Sequence, residues 1–470
     1  MTEFQQLIDG RLIASDASFP VINPATEDVF ASCPDASRAE LEASVVAARR
    51  AFPAWAALAP EARRAALLSF AAAVVARVDL IAETLVREQG KPLAQARGEV
   101  IGFAHHMDTM STGDLSPVTL REGEGRSIRL VYRPIGVVGA ITPWNVPLIL
   151  ASHKLAHALY AGNSVVLKPS PYTPLSTLLL GEAAAETLPP GVLNILAGGN
   201  DLGRWMTEHD DIDRITFTGS VETGKRVMAS SAGTLKRVSL ELGGNDPAIV
   251  LADADLDKTA AGLFRAAFFN SGQVCMAVKR VFAPPAVYDA LVDRLTELAT
   301  AHRVGDGFEE GVEMGPLQNR MQFDKVIDLI EETRRDPRAR FTVGGYRLNR
   351  PGYFIAPTIV ADAEDDMRLV DEEQFGPVLP VLRYDDVDDA VRRANATSMG
   401  LCASVWTENL ALGSAIAGRI EAGTVWVNHH LESLHDVPFG GFKQSGIGRE
   451  LGDLGLHSYM EAQILNLPEA

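Results

Sequence analysis

Cysteine is scarce in this chain: 470 residues include three, Cys33, Cys275 and Cys402. An odd number of cysteines at wide, irregular spacing does not form a disulfide framework, so we expect a reducing compartment, the cytoplasm. Free cysteine is most often a small core residue. Cys402, within the apolar run 400–406, fits a buried strand, whereas Cys33 lies in a polar N-terminal stretch.

Positive charge is also in short supply. The chain has 43 lysines and arginines against 61 aspartates and glutamates, a formal net charge of −18. Nucleic acids and anionic membrane surfaces require clustered positive charge, so neither is expected as a partner. No apolar run is as long as a bilayer span, and residues 1–6 are polar and acidic. We therefore expect neither a membrane span nor a targeting segment.

The length of the chain and the order of its apolar segments predict the fold class. A chain of 470 residues exceeds what one core organises, so two or three domains are expected. Apolar strands alternate with amphipathic helices over residues 134–243, and a second alternation begins near residue 247. This pattern is typical of doubly wound, mostly parallel sheets, which bind ligands beyond the carboxyl ends of their strands. We predict two such α/β domains.

The N-terminal region predicts helices and then a hairpin. Alanine- and leucine-rich periodicity predicts helices over residues 37–50, 59–77, 79–88 and 93–112, capped by Asp35 or Ser37 and by Asp79. Residues 117–133 alternate in polarity around a Glu-Gly-Glu-Gly turn, which predicts a two-stranded hairpin. A hairpin with so little to bury should pack on another surface, such as a second subunit.

A polar break between two apolar runs, residues 268–277, contains Cys275. A thiol acts as a nucleophile in its thiolate form, which needs a base or a local positive potential. Glu241, at the end of a predicted strand, could be a base to the thiol or to a water. Asn145 could donate its amide to an oxyanion together with the Cys275 N–H. Taken singly, Glu241 and Asn145 are each better explained as turn residues.

Two further turns suit a nucleotide. Thr218-Gly219-Ser220 follows a predicted strand and opens a helix, so its backbone could approach a pyrophosphate at the helix N-terminus. The turn lacks the full three-glycine dinucleotide fingerprint. Lys168 begins Lys-Pro-Ser-Pro-Tyr-Thr-Pro at the end of another strand, which suits a ribose and phosphate. The alternative for Lys168 is a solvated lysine before a proline turn.

Seven motifs together carry a resemblance. They are Pro143-Trp-Asn, Lys168-Pro-Ser, Phe217-Thr-Gly-Ser, Glu241-Leu-Gly-Gly, Gly272-Gln-Val-Cys, Glu372-Glu-Gln-Phe-Gly-Pro-Val and Pro438-Phe-Gly-Gly-Phe-Lys-Gln-Ser-Gly. In these motifs, and in their order, the chain resembles the aldehyde dehydrogenase superfamily from end to end. The resemblance implies an enzyme that oxidises an aldehyde to the carboxylic acid with NAD(P).

The resemblance also implies a covalent mechanism. Cys275 attacks the aldehyde carbon, and Asn145 and the Cys275 N–H hold the oxyanion of the thiohemiacetal. Hydride passes to the nicotinamide and leaves a thioester on Cys275, and Glu241 activates the water that releases the acid. Lys154 and Glu450 match a proton relay behind Glu241; a weak surface salt bridge is the alternative. The presence of Glu241 favours this hydrolytic type, because relatives that acylate coenzyme A usually lack that glutamate.

By the same resemblance, Lys168 should bind the adenosine ribose, Ser220 the pyrophosphate and Glu373 the nicotinamide ribose. The other positions assigned to the cofactor are Thr142, Pro143, Trp144, Ser170, Gly203, Phe217, Gly219, Leu242, Gly243 and Phe375. Many NAD-preferring relatives have a ribose-binding glutamate where this chain has Pro171. Without that carboxylate a 2′-phosphate meets no repulsion, so NADP stays open. NAD is favoured because residues 169–174 add no arginine or lysine.

The residues that match the substrate tunnel of the family are Val146, His153, Met276, His430, Ser433 and Phe439. Their histidines and serine differ from the aromatic tunnels of some relatives, and we expect an aromatic or medium-chain aldehyde. His153 and His157 have a metal-ligand spacing on a predicted helix. No third ligand is suggested and the family uses none, so no metal is expected.

Domain boundaries and an assembly follow from the resemblance too. A cofactor-binding domain should comprise residues 1–116, 134–243 and 443–458, and a catalytic domain residues 244–442. Residues 117–133 and 459–470 should form a small β element that joins subunits into a homodimer or homotetramer. The alternative functions are a dehydrogenase that acylates coenzyme A, a non-redox ester or thioester hydrolase that uses Cys275, and a silent binding protein.

Overall fold

The computed structural model describes residues 4–468, so residues 1–3 and 469–470 of the predicted domain boundaries lie outside it. Within residues 4–134 the elements are β1 (Gln6–Ile8), β2 (Arg11–Ile13), β3 (Ser18–Ile22), β4 (Val29–Pro34), α1 (Arg38–Ala56), α2 (Pro60–Val75), α3 (Val78–Gln89), α4 (Leu93–Thr109), β5 (Val118–Gly123) and β6 (Arg126–Pro134). The four predicted helices and the hairpin are confirmed.

The caps of the first helices follow from side-chain chemistry. Ser37 Oγ accepts a hydrogen bond from Glu40 N (3.2 Å), and the Glu40 carboxylate accepts one from Ser37 N (2.7 Å). This reciprocal capping box begins α1, so the predicted cap is Ser37 rather than Asp35. Asp79, expected before α3, lies inside its first turn, where a carboxylate still favours the helix dipole.

Strands and helices then alternate, as the sequence predicts. The elements are β7 (Val137–Ile141), α5 (Pro147–Tyr160), β8 (Ser164–Lys168), α6 (Leu175–Thr187), β9 (Leu193–Ile195), α7 (Asn200–Glu208), β10 (Arg214–Thr218), α8 (Val221–Ser231) and β11 (Arg237–Glu241). Strand β7 is buried along its whole length, because helices cover both faces of a parallel sheet.

The second half of the chain repeats the alternation with longer connections. Its elements are β12 (Asp246–Val250), α9 (Leu256–Phe268), β13 (Val278–Ala283), α10 (Pro285–Ala301), α11 (Arg320–Arg334), β14 (Arg340–Val343), β15 (Thr358–Ala361), α12 (Arg368–Asp371), β16 (Val378–Arg383), α13 (Val387–Asn395), β17 (Cys402–Trp406), α14 (Leu410–Ala417), β18 (Thr424–Val427), β19 (Gly446–Ile447), α15 (Gly452–His457) and β20 (Met460–Pro468). Short 3-10 helices span Ala232–Thr234, Phe269–Gly272 and Lys443–Ser445.

Two large sheets organise these elements. The first has the strand order β19-β11-β10-β7-β8-β9-β1-β2 and is parallel from β11 to β9. The second has the order β14-β15-β16-β13-β12-β17-β18 and is parallel except at β14. The predicted class, two doubly wound α/β units with a small β element, is confirmed. The division into domains at particular residues stays a prediction.

A three-stranded antiparallel sheet, β20-β6-β5, stands beside the large ones. Strand β20 pairs with β6 over its full length, from Met460 opposite Pro134 to Pro468 opposite Arg126. Strand β5 is exposed at every position. The predicted hairpin and the predicted C-terminal strand therefore form one surface sheet with an open edge.

Two features of the fold were not predicted from the sequence. Cys33 is fully buried in β4 and belongs to the same apolar cluster as residues of α3 and α6, although its neighbours in sequence are polar. Helix α13 was not predicted, because aspartates and arginines dominate it and it buries only Ala390, Val391 and Ala394.

The helices were also compared with the dimensions of a bilayer. In residues 4–468 no single helix is long and apolar enough to cross a membrane. The pair α2 and α3 passes the same test of length and composition when taken together, with a bend of 69° between the helices.

Candidate active site

A strained loop leads from α9 to Cys275. In the 3-10 helix Phe269–Gly272, Asn270 and Ser271 have positive φ angles of 51° and 59°. Gly272 also has a positive φ, 72°, and a Cβ there would lie 2.3 Å from the backbone oxygen of Gly376. Only glycine fits that position, which explains why a glycine stands three residues before Cys275.

Cys275 itself lies in a hydrogen-bonded turn. Ala277 N donates to Val274 O (3.2 Å), so Cys275 is the second of four turn residues. The residue is half-buried. Burial and, after it, the nearby Glu241 carboxylate together raise the pKa of its thiol to about 12. A thiol in this setting needs a base or a counter-charge to react.

Asn145 is tied to the same loop. Its side-chain Nδ2 donates to the backbone oxygen of Gln273 (2.8 Å), and its own backbone oxygen accepts from Asn270 Nδ2 (3.0 Å). Lys91 Nζ donates to that same oxygen (3.1 Å). In the described part of the chain, the second amide hydrogen of Asn145 has no acceptor, so one N–H is free to bind an oxyanion.

Glu241 ends strand β11 at the carboxyl edge of the first sheet. Its backbone oxygen accepts from Gly219 N (3.0 Å). The carboxylate is buried, and neither of its oxygens has a hydrogen-bond partner among the described residues. Burial raises its pKa well above the ordinary value; Glu450 raises it further, and Lys154 opposes the shift. A buried carboxyl group without partners is costly, which favours a functional role.

Lys154 and Glu450 form an ion pair behind Glu241. Their Nζ and Oε1 atoms are 2.5 Å apart, and both side chains are buried. Lys154 also donates to Thr218 Oγ1 (2.7 Å). This burial excludes the weak surface salt bridge that the sequence left open. After burial, the two members of this pair have the largest effects on the pKa of Glu241, and these effects are opposite in sign.

Lys168 and Glu373 provide charged groups where a dinucleotide is expected. Lys168 Nζ is buried, donates to Pro169 O (3.1 Å), and has a pKa lowered to about 8 by burial. A Cβ at Gly203 would lie 3.8 Å from the Lys168 side chain, so helix α7 borders this lysine. Glu373 Oε1 accepts from Gly244 N (3.2 Å), and a Cβ at Gly243 would lie 2.4 Å from Glu373 Oε2.

The remaining residues assigned to the cofactor surround these two. Ser220 caps α8 by accepting from Thr223 N (3.3 Å) and is exposed at the start of the helix. The rings of Trp144 and Phe375 meet edge to face at 5.4 Å. Thr142 Oγ1 is buried and has no hydrogen-bond partner among the described residues. Phe217 packs against Gly219, and Leu242 packs against Gly224. The other two positions are Pro143 and Ser170. An unpartnered hydroxyl, a buried lysine and a helix N-terminus fit a dinucleotide.

The residues assigned to the substrate differ in their burial and surroundings. Met276 and Phe439 belong to the apolar cluster that contains Cys275. Val146 is half-buried at the start of α5, His153 is buried on the same helix, and Ser433 is exposed.

His430 does not lie where the sequence suggested. It is 2 % exposed; its Nε2 lies 3.0 Å from Met276 O and its Nδ1 lies 2.9 Å from Ser404 Oγ. Because both ring nitrogens have partners within the protein, the ring holds the turn that carries Cys275 and has no free nitrogen for a substrate.

The comparisons with known proteins agree with this geometry. A family model described as the aldehyde dehydrogenase family matches residues 12–465. The chain belongs to the aldehyde dehydrogenase family. A mitochondrial aldehyde dehydrogenase of Leishmania tarentolae is 40% identical over 468 residues, covering 98% of this chain and 94% of that protein.

Solved aldehyde dehydrogenase structures have the same fold. The NAD+ complex of an aldehyde dehydrogenase from Bacillus cereus is 37% identical, with a TM-score of 0.94, and the match covers 99% of this chain and 97% of that one. An NADP-dependent enzyme from E. coli is 35% identical, with a TM-score of 0.96, and the match covers 99% and 98%.

Sequence reasoning missed several residues of this aldehyde dehydrogenase site. Lys91 is one of them, and a lysine between glycine and proline was the available signal. Asn270, which holds Asn145, was visible as a polar residue after two phenylalanines. Lys279 and Arg280 interrupt the apolar residues of strand β13, and that interruption was the available signal. Within residues 4–468 no group of three or more metal-ligating side chains is arranged to hold a metal.

Proposed function

We propose that this chain oxidises an aldehyde to the carboxylic acid with NAD or NADP, through covalent intermediates on Cys275. The observation that carries the proposal is the arrangement around one turn. Cys275 stands at its corner, Asn145 donates to the preceding loop, and Glu241 is buried without a partner among the described residues. Family membership supports aldehyde oxidation as the reaction class.

The first step joins the thiol to the substrate. The Cys275 thiolate forms a bond to the aldehyde carbon as the carbonyl π pair moves onto oxygen, and the thiol proton leaves to a base. The free N–H of Asn145 and the backbone N–H of Cys275 bind the oxyanion. Each such donor contributes about 3 kcal/mol to the stability of the transition state.

Lys168, the N-terminus of α8 at Ser220, and Glu373 would hold the dinucleotide. Bound there, the nicotinamide supplies the hydride acceptor that converts the adduct to a thioester. The chain's own contribution is to fix the two riboses and the pyrophosphate and to keep the thioester on Cys275 beside Glu241.

The last step is hydrolysis of the thioester. Glu241 takes a proton from a water, whose oxygen bonds to the acyl carbon, and the bond to Cys275 Sγ breaks. A base with a raised pKa is well matched to this task, because it accepts the proton more readily at neutral pH. Lys154 and Glu450 would pass the proton onward.

NAD remains the favoured cofactor, with NADP open. Solved relatives include an NAD+ complex and an NADP-dependent enzyme, so fold alone does not separate the two. Pro171 in place of a ribose-binding acid leaves room for either.

We also propose a cytoplasmic homodimer or homotetramer without a nucleic-acid partner. The sheet β20-β6-β5 exposes Val118, Leu120 and Ile464, which supports subunit pairing there. The three cysteines are free, which suits a reducing compartment. Light scattering measures the assembly directly.

The test measures reduced nicotinamide with NAD and NADP and a panel of aromatic and medium-chain aldehydes, which are the proposed substrate class. Wild type should turn over, Cys275→Ala should not, and Cys33→Ala should retain activity because Cys33 lies in a different core. Acid formed without added coenzyme A excludes the acylating alternative. Cys275-dependent ester cleavage without any nicotinamide reduction would establish the hydrolase and overturn the proposal.

A further inference from the structure

The turn that carries Cys275 is held from two sides. On one side, Lys279 Nζ donates to the backbone oxygen of Val274 (2.7 Å), the same oxygen that closes the turn. On the other side, His430 Nε2 lies 3.0 Å from the backbone oxygen of Met276. The two carbonyl groups that flank Cys275 are therefore both fixed by buried side chains.

The His430 side of this support is neutral. Burial lowers the pKa of His430 to about 3. Trp406 Nε1 donates to Ser404 Oγ (2.9 Å), which leaves the Ser404 hydroxyl to donate to His430 Nδ1 and the Nε2–H to donate to Met276 O. This chain of donors fixes the turn without adding charge.

The Lys279 side is charged. Lys279 is 2 % exposed, and among residues 4–468 no carboxylate oxygen lies within 4.0 Å of its Nζ. Its partners are backbone oxygens, at Val274 and, at 3.4 Å, Ala277. Its ammonium also lies 5.6 Å from the centre of the Phe375 ring. Burying an ammonium without a directly paired anion is expensive, so its retention here requires a reason.

The charged surroundings of Cys275 suggest that reason. The carboxylates of Glu241, Glu373 and Asp246 all act with burial to raise the pKa of the thiol, whereas Lys279 lowers it. Lys279 also opposes the upward pKa shifts of Asp246 and Glu373. The positive charge of Lys279 therefore offsets part of the negative charge of these three carboxylates around the Cys275 thiol.

We propose that Lys279 is a positioning residue for the reaction: its buried ammonium fixes the Val274–Ala277 turn and stabilises Cys275 as the thiolate. The inference rests on the proposed function, because it takes Cys275 as the nucleophile. The Gly-Gln-Val-Cys motif places the cysteine, and Lys279, four residues later on β13, supplies the positive potential that a thiolate requires.

The experiment measures the rate at which iodoacetamide alkylates Cys275 as a function of pH, with the modified peptide identified by mass. Lys279→Met removes the charge and the donor at similar volume. Lys279→Gln removes the charge but keeps an N–H donor for Val274 O, and it also serves if the methionine variant fails to fold. Well below the pKa of the thiol the rate is proportional to the thiolate fraction, so both variants should be alkylated about tenfold more slowly than wild type at pH 8, corresponding to an upward shift of one pKa unit.

Ser404→Ala is the matched control. It loosens the other side of the turn and removes no charge, so its alkylation rate at pH 8 should equal that of wild type. Wild-type profiles for both Lys279 variants would overturn the proposal, as would an equal shift in Ser404→Ala. Alkylation does not require aldehyde turnover, so failure of the proposed oxidation would appear in the wild-type dehydrogenase assay and not here.

Discussion

The ammonium of Lys91 donates a 3.1 Å hydrogen bond to the backbone oxygen of Asn145, so a lysine from the α3–α4 connection holds the residue assigned to the oxyanion. Lys91 is also paired with buried Glu99, whose other oxygen accepts from Leu148 N (2.9 Å) at the start of α5. Lys91→Met should lower kcat, because Asn145 loses a support. It should also destabilise the fold by about 3–5 kcal/mol, because Glu99 is left buried and unpaired.

Denaturant unfolding and steady-state kinetics measure both effects. The matched double variant Lys91→Met with Glu99→Gln keeps the acceptor for Leu148 N and removes the unpaired charge. It should recover stability but not kcat. Recovery of both would mean that Lys91 acts on the fold alone.

The acid limb of the pH profile of kcat reports Glu241. A general base works when deprotonated, so the rate falls as pH drops through the raised pKa of Glu241, above the range of an ordinary glutamate. Lys154 opposes that rise, so Lys154→Met should move the limb to higher pH. Glu450 contributes to the rise, so Glu450→Gln should move it to lower pH. Shifts in the same direction would contradict this arrangement.

Pro171 allows a direct test of cofactor choice. It follows Ser170 in the turn after Lys168, where a carboxylate would face the adenosine ribose by resemblance to NAD-preferring relatives. Pro171→Glu should raise KM for NADP at least tenfold, because two negative charges would repel, and should leave KM for NAD equal or lower. Pro171→Gln has the same shape without charge and should leave the ratio of the two KM values near that of wild type. If Pro171→Glu and Pro171→Gln change the two KM values equally, the loss of proline and not the added charge is responsible.

Glu88 links stability to pH. It is fully buried and accepts hydrogen bonds from Leu175 N (2.7 Å) and Ser176 N (2.9 Å) at the start of α6, yet burial raises its pKa to about 7. The folded state therefore binds the proton more tightly than the unfolded one, and Glu88 lowers stability as pH rises from about 4.5 to 7.

Glu88→Gln should remove this loss. Relative to wild type, the free energy of unfolding of the variant should rise by about 2.5 kcal/mol between pH 5 and pH 8. Urea unfolding at the two pH values measures the change. A constant difference between the two proteins would show that Glu88 binds no extra proton in the fold.

Much of the fold was predictable because its signals are local. The apolar run of β7, the cap at Ser37 and the glycine-rich turns each depend on a few neighbouring residues. The candidate site was predictable in its motifs for the same reason, since Cys275 and Glu241 stand beside glycines whose positions the backbone requires.

The rest depends on contacts between distant segments. Lys154 and Glu450 are separated by 296 positions, so their burial as a pair could not be inferred from either neighbourhood. Cys33 has polar neighbours in sequence, and it is buried in an apolar cluster whose members come mostly from distant segments of the chain. His430 was expected to face the substrate, but its ring turns to Ser404 and Met276 because both offer partners for its nitrogens.

The first sheet takes its edge strands from both ends of the chain, β2 from residues 11–13 and β19 from residues 446–447. During synthesis on the ribosome, one edge of β11 therefore stays unpaired until β19 has emerged, and β19 follows the whole second sheet in the chain. Nascent chains of this protein should depend on chaperones that shield strand edges until residue 446 is available. Premature termination before that point would leave Glu241 on an edge strand, so a truncated product should aggregate rather than retain partial activity.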